Sequence, residues 1–176
     1  MSEYFILKED QQLDGTFKPP RFDNGKPFAQ LPAISVVDVA AQGDVEVLDW
    51  LERPIRMVSD KIKTIAIKYN ARIAFKRVYF MNREQQFQPL YWAMQVPPID
   101  ALSVQSSFHP DQTIKRLVLA RSKIAGHHIF TLAGVREPYL VLSLAAAESL
   151  LRREATGVTL NRVEVDEEGP HEALYG

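Results

Sequence analysis

The sequence of 176 residues contains no cysteine. Disulfides, thiolate metal sites and cysteine nucleophiles are thereby excluded, and the composition suits a reducing cytoplasm. Long apolar runs are missing too. None approaches the roughly 20 residues of a membrane-spanning helix. The opening MSEYFILKEDQQ has no basic stretch leading into a long apolar one, as a secretion signal would. A membrane is therefore not an expected partner. Excess charge is nearly absent, since 21 Lys and Arg face 22 Asp and Glu, for a net charge of −1. A chain this close to neutrality has no global field to gather nucleic acid. The eight glycines are scattered, and none forms a phosphate-cradling loop between a strand and a helix. No cofactor is expected.

What is present is a 46% hydrophobic chain, enough for one folding unit with its own core. Tyr4–Leu7 reads as a short strand. Residues 8–33 then hold Pro19, Pro20, Pro27 and Pro32 with Phe17, Phe22 and Phe28 between them. Proline blocks regular pairing, so a long loop pinned by its aromatics is expected. Ile34–Val39 reads as a strand and Asp44–Leu51 as a short helix or irregular segment. Ser59 is a plausible N-cap for a helix carrying Ile62, Ile65, Ala66 and Tyr69 on one face, with Asn70 ending it. Residues 72–80 and 90–96 suggest a hairpin. The first has no purely apolar side, which suggests a sheet edge or a bulge. Residues 114–120, 128–132 and 139–143 read as further strands. Ser143 caps a second helix with Leu144, Ala147, Leu150 and Leu151 facing inward, and Gly157 precedes a closing strand. The expectation is an α+β fold: a mixed or mainly antiparallel sheet, two principal helices and a long proline-rich N-terminal loop. It divides into an arm (residues 1–54), a body (55–165) and an acidic tail (166–176).

Reactive constellations are sparse. His127 and His128 are adjacent, and neighbours on a strand project to opposite faces, so they do not suit one metal ion. His109 and His171 add no compatible spacing, and no metal site is expected. His128 is a candidate general base, as any histidine is, but no serine lies in a Gly-x-Ser-x-Gly elbow, and Ser143 is better explained as a cap. The carboxylates of Asp10, Asp14, Asp23, Asp44, Glu46 and Asp49 form no calcium-loop or paired acid/base pattern. Residues 72–83 interleave Arg72, Lys76, Arg77 and Arg83 with Phe75, Tyr79 and Phe80, which a nucleic-acid platform would do and a packed sheet would do equally. The C-terminal run of Glu164, Asp166, Glu167, Glu168 and Glu172 would suit the basic surface of a protein partner, or merely keep the end soluble.

One resemblance is carried by IKRLVLARSKIAGHHIFTLAG and YLVLSLAAAESLLRREATGVTL. The pattern comprises the strand Ile114–Leu119, the turn Ser122–Ile124, the strand start His128–Phe130, Gly134, the strand-to-helix step Val141–Ser143, and Gly157-Val158. It resembles an immunity-protein family of bacterial polymorphic toxin systems, a group once catalogued only as a domain of unknown function. VSDKIKTI and Tyr91-Trp92 resemble that group's preceding helix and strand, so the likeness spans roughly residues 55 to 160. The resemblance implies a small cytoplasmic protein, not an enzyme, that binds a cognate toxin and blocks it. It implies no catalytic residues. On this reading Glu164, Asp166, Glu167, Glu168, Tyr91 and Trp92 are candidates for the contact. Nucleic-acid binding through residues 72–83, or hydrolysis using His128, are the alternatives.

Overall fold

Local hydrogen bonds define the helices. In the computed structural model, which describes residues 2–167, helix α1 (Asp60–Tyr69) starts at Ser59, whose hydroxyl accepts the Ile62 N–H at 3.4 Å. Asp60 in the first turn and Lys68 in the last complement the helix dipole. A short α2 (Arg121–Ile124), not expected from the sequence, buries Ile124. Helix α3 (Leu144–Arg152) starts at Ser143, whose hydroxyl accepts the Ala146 N–H at 3.2 Å. Its buried stripe is Ala146, Ala147 and Leu150. Leu144 and Leu151, expected to face inward, are instead exposed. At about 100° per residue they stand roughly a quarter-turn from the stripe's centre.

The strands are β1 (Tyr4–Glu9), β2 (Ile34–Asp38), β3 (Trp50–Leu51), β4 (Met57–Val58), β5 (Ala74–Met81), β6 (Leu90–Gln95) and β7 (Pro98–Ile99). They continue with β8 (Ser107–Phe108), β9 (Ile114–Arg116), β10 (Val118–Leu119), β11 (Ile129–Leu132), β12 (Leu140–Ser143) and β13 (Val158–Val165). One sheet runs β10-β13-β1-β12-β11-β7, a second runs β2-β5-β6-β4-β3, and β8 and β9 pair alone. Both larger sheets are mixed: β10/β13, β11/β7 and β2/β5 are parallel, and the other pairings are antiparallel. The fold is α+β. Among the described residues no helix is long and apolar enough to cross a membrane.

Three clusters make up the core. The first lies between the sheets and joins Leu7, Ile129, Leu140 and Leu142 to Trp50, Val58 and Met94, with α1 and α3 packed against it. The second lies on the opposite face of the five-stranded sheet. There Val78, Phe80, Tyr91 and Met57 are covered by Phe17 and Leu31 from residues 10–33, with Phe22 and Phe28 alongside. The third joins Tyr4, Phe130, Val141 and Val163 to Ile124.

Asp49 fastens these parts together. Its carboxylate accepts the Ser59 hydroxyl at 2.7 Å and the Thr156 N–H at 2.8 Å, with Lys61 at 3.3 Å. Burial pushes this carboxyl up, but hydrogen bonds from Thr156 and Ser59, with the Lys61 charge, outweigh it and hold the group below its ordinary value. Gly157 fits beside it with φ +82°. A Cβ there would sit 3.0 Å from a Leu48 methyl and 3.1 Å from the Trp50 carbonyl oxygen.

The segment before β3 is not helical. Glu46 bridges to Thr16 and the chain then runs extended into Trp50–Leu51, both buried. Strand β5 is interior, between β2 and β6, not an edge. Its charges made it look exposed, yet the Lys76 ammonium donates to the carbonyls of Phe28 and Leu31, both at 2.7 Å.

Candidate functional site

The expected anchors Tyr91 and Trp92 are neighbours on β6 and so point to opposite faces of the sheet. Tyr91 is fully buried, and its hydroxyl donates to the Leu48 carbonyl at 2.6 Å. Burial, and then the nearby Asp49 carboxylate, push its phenol far up, so it remains a donor. It has no surface to give a partner, which corrects its expected role. Trp92 is half-buried on the other face. Its indole N–H donates to Asp60 at 2.5 Å, the Lys63 ammonium lies 3.6 Å from the ring centroid, and the Arg77 guanidinium 5.1 Å. The ring is a polarised floor under two cations.

Two of the acidic candidates, Glu164 and Asp166, are spoken for internally. Glu164 forms a two-pronged ion pair with Arg116, whose hydrogen bond and charge hold the carboxyl below its ordinary value. Asp166 accepts the Arg121 N–H at 3.0 Å, which lowers its carboxyl, and its carbonyl accepts from the Arg121 side chain. Its job is to seat α2. Glu167 is exposed, beside Arg162 and Glu3, which pair with each other. Glu168, His171 and Glu172 lie outside the described residues. The described part of this surface is alternating charge, not an acidic field.

Alternation also divides the basic-aromatic strand. Phe80 is fully buried on one face with Lys76. Phe75, Arg77 and Tyr79 share the other, where Phe75 packs under Lys63 and Arg77 lies over Trp92. Arg72 and Arg83 are exposed beyond the strand's ends. The rings do not form one stacking platform.

His127 and His128 precede β11. His127 is exposed and set edge-on to Phe130 at 6.1 Å. His128 sits opposite Ser143, with Nδ1 2.8 Å from the hydroxyl oxygen and the Tyr69 ring 5.5 Å away. Sequence separation concealed this contact, which follows from the β11/β12 register. Ser143 is nonetheless buried, and its oxygen is held by the Ala146 N–H at the start of α3. Among the described residues no carboxylate bonds to His128, and no cluster of three or more His, Asp or Glu is arranged to hold a metal ion. The pair works as a strand-to-helix clamp: in the tautomer with Nδ1 free, the hydroxyl accepts from the helix and donates to the ring.

The feature best suited to recognition is one that sequence reading did not single out. On one face of the five-stranded sheet a single row runs Ile34, Arg77, Trp92, Val58, Trp50 across β2, β5, β6, β4 and β3. At the β3 end it is sealed under the first core. At the β2 end it is open: Ile34 is 53% and Val36 59% exposed. Tyr79 and Leu90, a facing pair, adjoin Val36. Strand β2 is also the sheet's edge. The Ala33 carbonyl and the Val39 N–H both bond to β5, at 3.1 Å and 2.9 Å. Ser35 and Val37 therefore point their main-chain groups inward. The N–H and C=O of Ile34, Val36 and Asp38 point outward, and among the described residues they have no partner. The sequence Ile-Ser-Val-Val-Asp after Pro32 signals a strand with apolar residues on both faces, and carries no sign of its unpaired side.

No known protein family and no curated protein matches the chain.

Proposed function

We propose that this chain is a non-catalytic immunity protein that binds and neutralises a cognate bacterial toxin in the cytoplasm. The observation that carries the proposal is the open end of the five-stranded sheet, where Ile34 and Val36 stand exposed beside Arg77, Tyr79 and Trp92. Aromatic and arginine side chains are the types enriched at protein–protein contacts, and exposed aliphatic area beside them adds apolar surface to bury. The sheet beneath them is anchored on its other face by Phe80 and Tyr91, so the surface is preorganised and costs little ordering on binding. A stable complex buries about 1,600 Å² in total, so this patch would be the centre of a wider contact. That the partner is a toxin rests on the motif resemblance of residues 55 to 160 alone, which no family model matches.

The test is genetic and then biochemical. A toxin-bearing gene is expected immediately upstream of the native gene, and co-expression of this chain should restore growth to cells making that toxin domain. Val36→Glu should weaken rescue while leaving the fold intact. Full toxicity in the presence of the folded wild-type chain would refute the proposal.

A further inference from the structure

The free edge of β2 borders a groove of about 450 Å³, walled on one side by Ile34, Val36 and Asp38 and on the other by Phe22, Asp23 and Leu31. Asp23 is only 4% exposed, yet its Oδ1 accepts no hydrogen bond. The nearest cation, Arg21, holds its Nε 3.5 Å away on a side chain that is 71% exposed. Lys26, also on the groove wall, is exposed as well. A buried carboxylate oxygen without a hydrogen bond is costly, and the cost is recovered when a donor arrives. Asp38 places a second carboxylate at the end of the same edge.

We infer that the groove receives an extended segment of the partner protein, which adds to β2 as a further strand and brings a lysine or arginine to Asp23. Strand addition satisfies the outward N–H and C=O groups of Ile34, Val36 and Asp38 together. It also dictates the ligand's pattern. Ile34 and Val36 project from the face shared with Arg77 and Trp92. Phe22 packs against Phe80, which places the arm, and Asp23 with it, over the opposite face. Side chains on a strand alternate between faces. The incoming segment therefore reads apolar, basic, apolar: flanking residues cover Ile34 and Val36, and the central cation reaches Asp23. This inference rests on the proposed function only in taking the partner to be a protein.

The probe is a peptide selected from a random phage-displayed library against the immobilised full chain, then synthesised with a fluorescent label. The apolar-basic-apolar pattern should be enriched. Val36→Pro is the discriminating variant, because proline is tolerated on an edge strand whose N–H faces outward. It should keep the native circular dichroism spectrum and weaken peptide binding by about tenfold or more. Asp23→Asn should weaken peptides with the central cation and leave those with a neutral residue there unchanged. Failure to enrich any such pattern, or equal binding by Val36→Pro, would overturn the inference. So would a dimer of the free protein in sedimentation velocity that Val36→Pro dissociates, since the edge would then belong to a second copy. Toxin rescue without peptide binding would retain the immunity function and reject the strand-addition mode. Peptide binding without rescue would do the reverse.

Discussion

The two ends of the five-stranded sheet obey the same pairing rules and end up with opposite fates. At one end, Trp50 and Val58 occupy the row that begins with Ile34, and both are fully buried beneath α1 and the six-stranded sheet. Asp49 closes that end by gripping the α1 cap and the turn before β13. At the other end, Ile34 and Val36 are apolar side chains on the same face, and among the described residues they are left more than half exposed. Composition does not separate the two ends. Chain connectivity does: β2 and β3 are both terminal strands, but β4, beside β3, leads straight into a helix that folds back over the row, whereas no helix follows β2 before the chain reaches β3. Burial therefore stabilises the β3–β4 end, and exposed apolar surface at the β2 end is held rigid by a sheet whose stability comes from elsewhere.

This contrast can be broken by mutation, starting with the sealed end. Trp50→Ala should cost about 3–5 kcal/mol in urea unfolding, the range for emptying a large buried site. Asp49→Ala should cost about 2 kcal/mol, because it strands the Ser59 and Thr156 donors. Its effect should depend on pH. The folded carboxyl lies below its ordinary value, so its contribution is fully present above the unfolded value near 4 and is lost as pH falls through the lower folded value. The stability gap between wild type and Asp49→Ala should hold at neutral pH and shrink on acidification below about pH 4. A gap that widens in acid would mean that Asp49 is not stabilised as an anion. Tyr91→Phe removes the bond to the Leu48 carbonyl and should cost about 1 kcal/mol. At the open end, Val36→Lys should change stability by less than about 0.5 kcal/mol. A cost comparable to that of Trp50→Ala would show that β2 is covered in solution.

Legibility in the sequence followed the range of the interactions. Helices α1 and α3 could be read because Ser59 and Ser143 cap them within three residues and the apolar stripes repeat at helical spacing. The width of the buried face of α3 could not, since Leu144 and Leu151 are apolar but lie off the stripe. Strand β5 looked like an edge because Lys76 and Arg77 put charge on both faces. Their partners, the Phe28 and Leu31 carbonyls and the Trp92 ring, come from other segments. The contact between His128 and Ser143 depends on strand register, and the sealing of Tyr91 depends on residues 10–33 folding over it. The edge at β2 was illegible for a different reason: an unpaired side is the lack of a neighbour, and no residue in the strand encodes it.

Amide hydrogen exchange along β2, followed by NMR with and without the proposed toxin partner, addresses the open edge most directly. In the free chain Ile34, Val36 and Asp38 should exchange fast while Ser35 and Val37 are protected, and adding the toxin should slow the first three. Uniform protection before the toxin is added, or an unchanged β2 in a complex that instead protects residues 164–167, would contradict it.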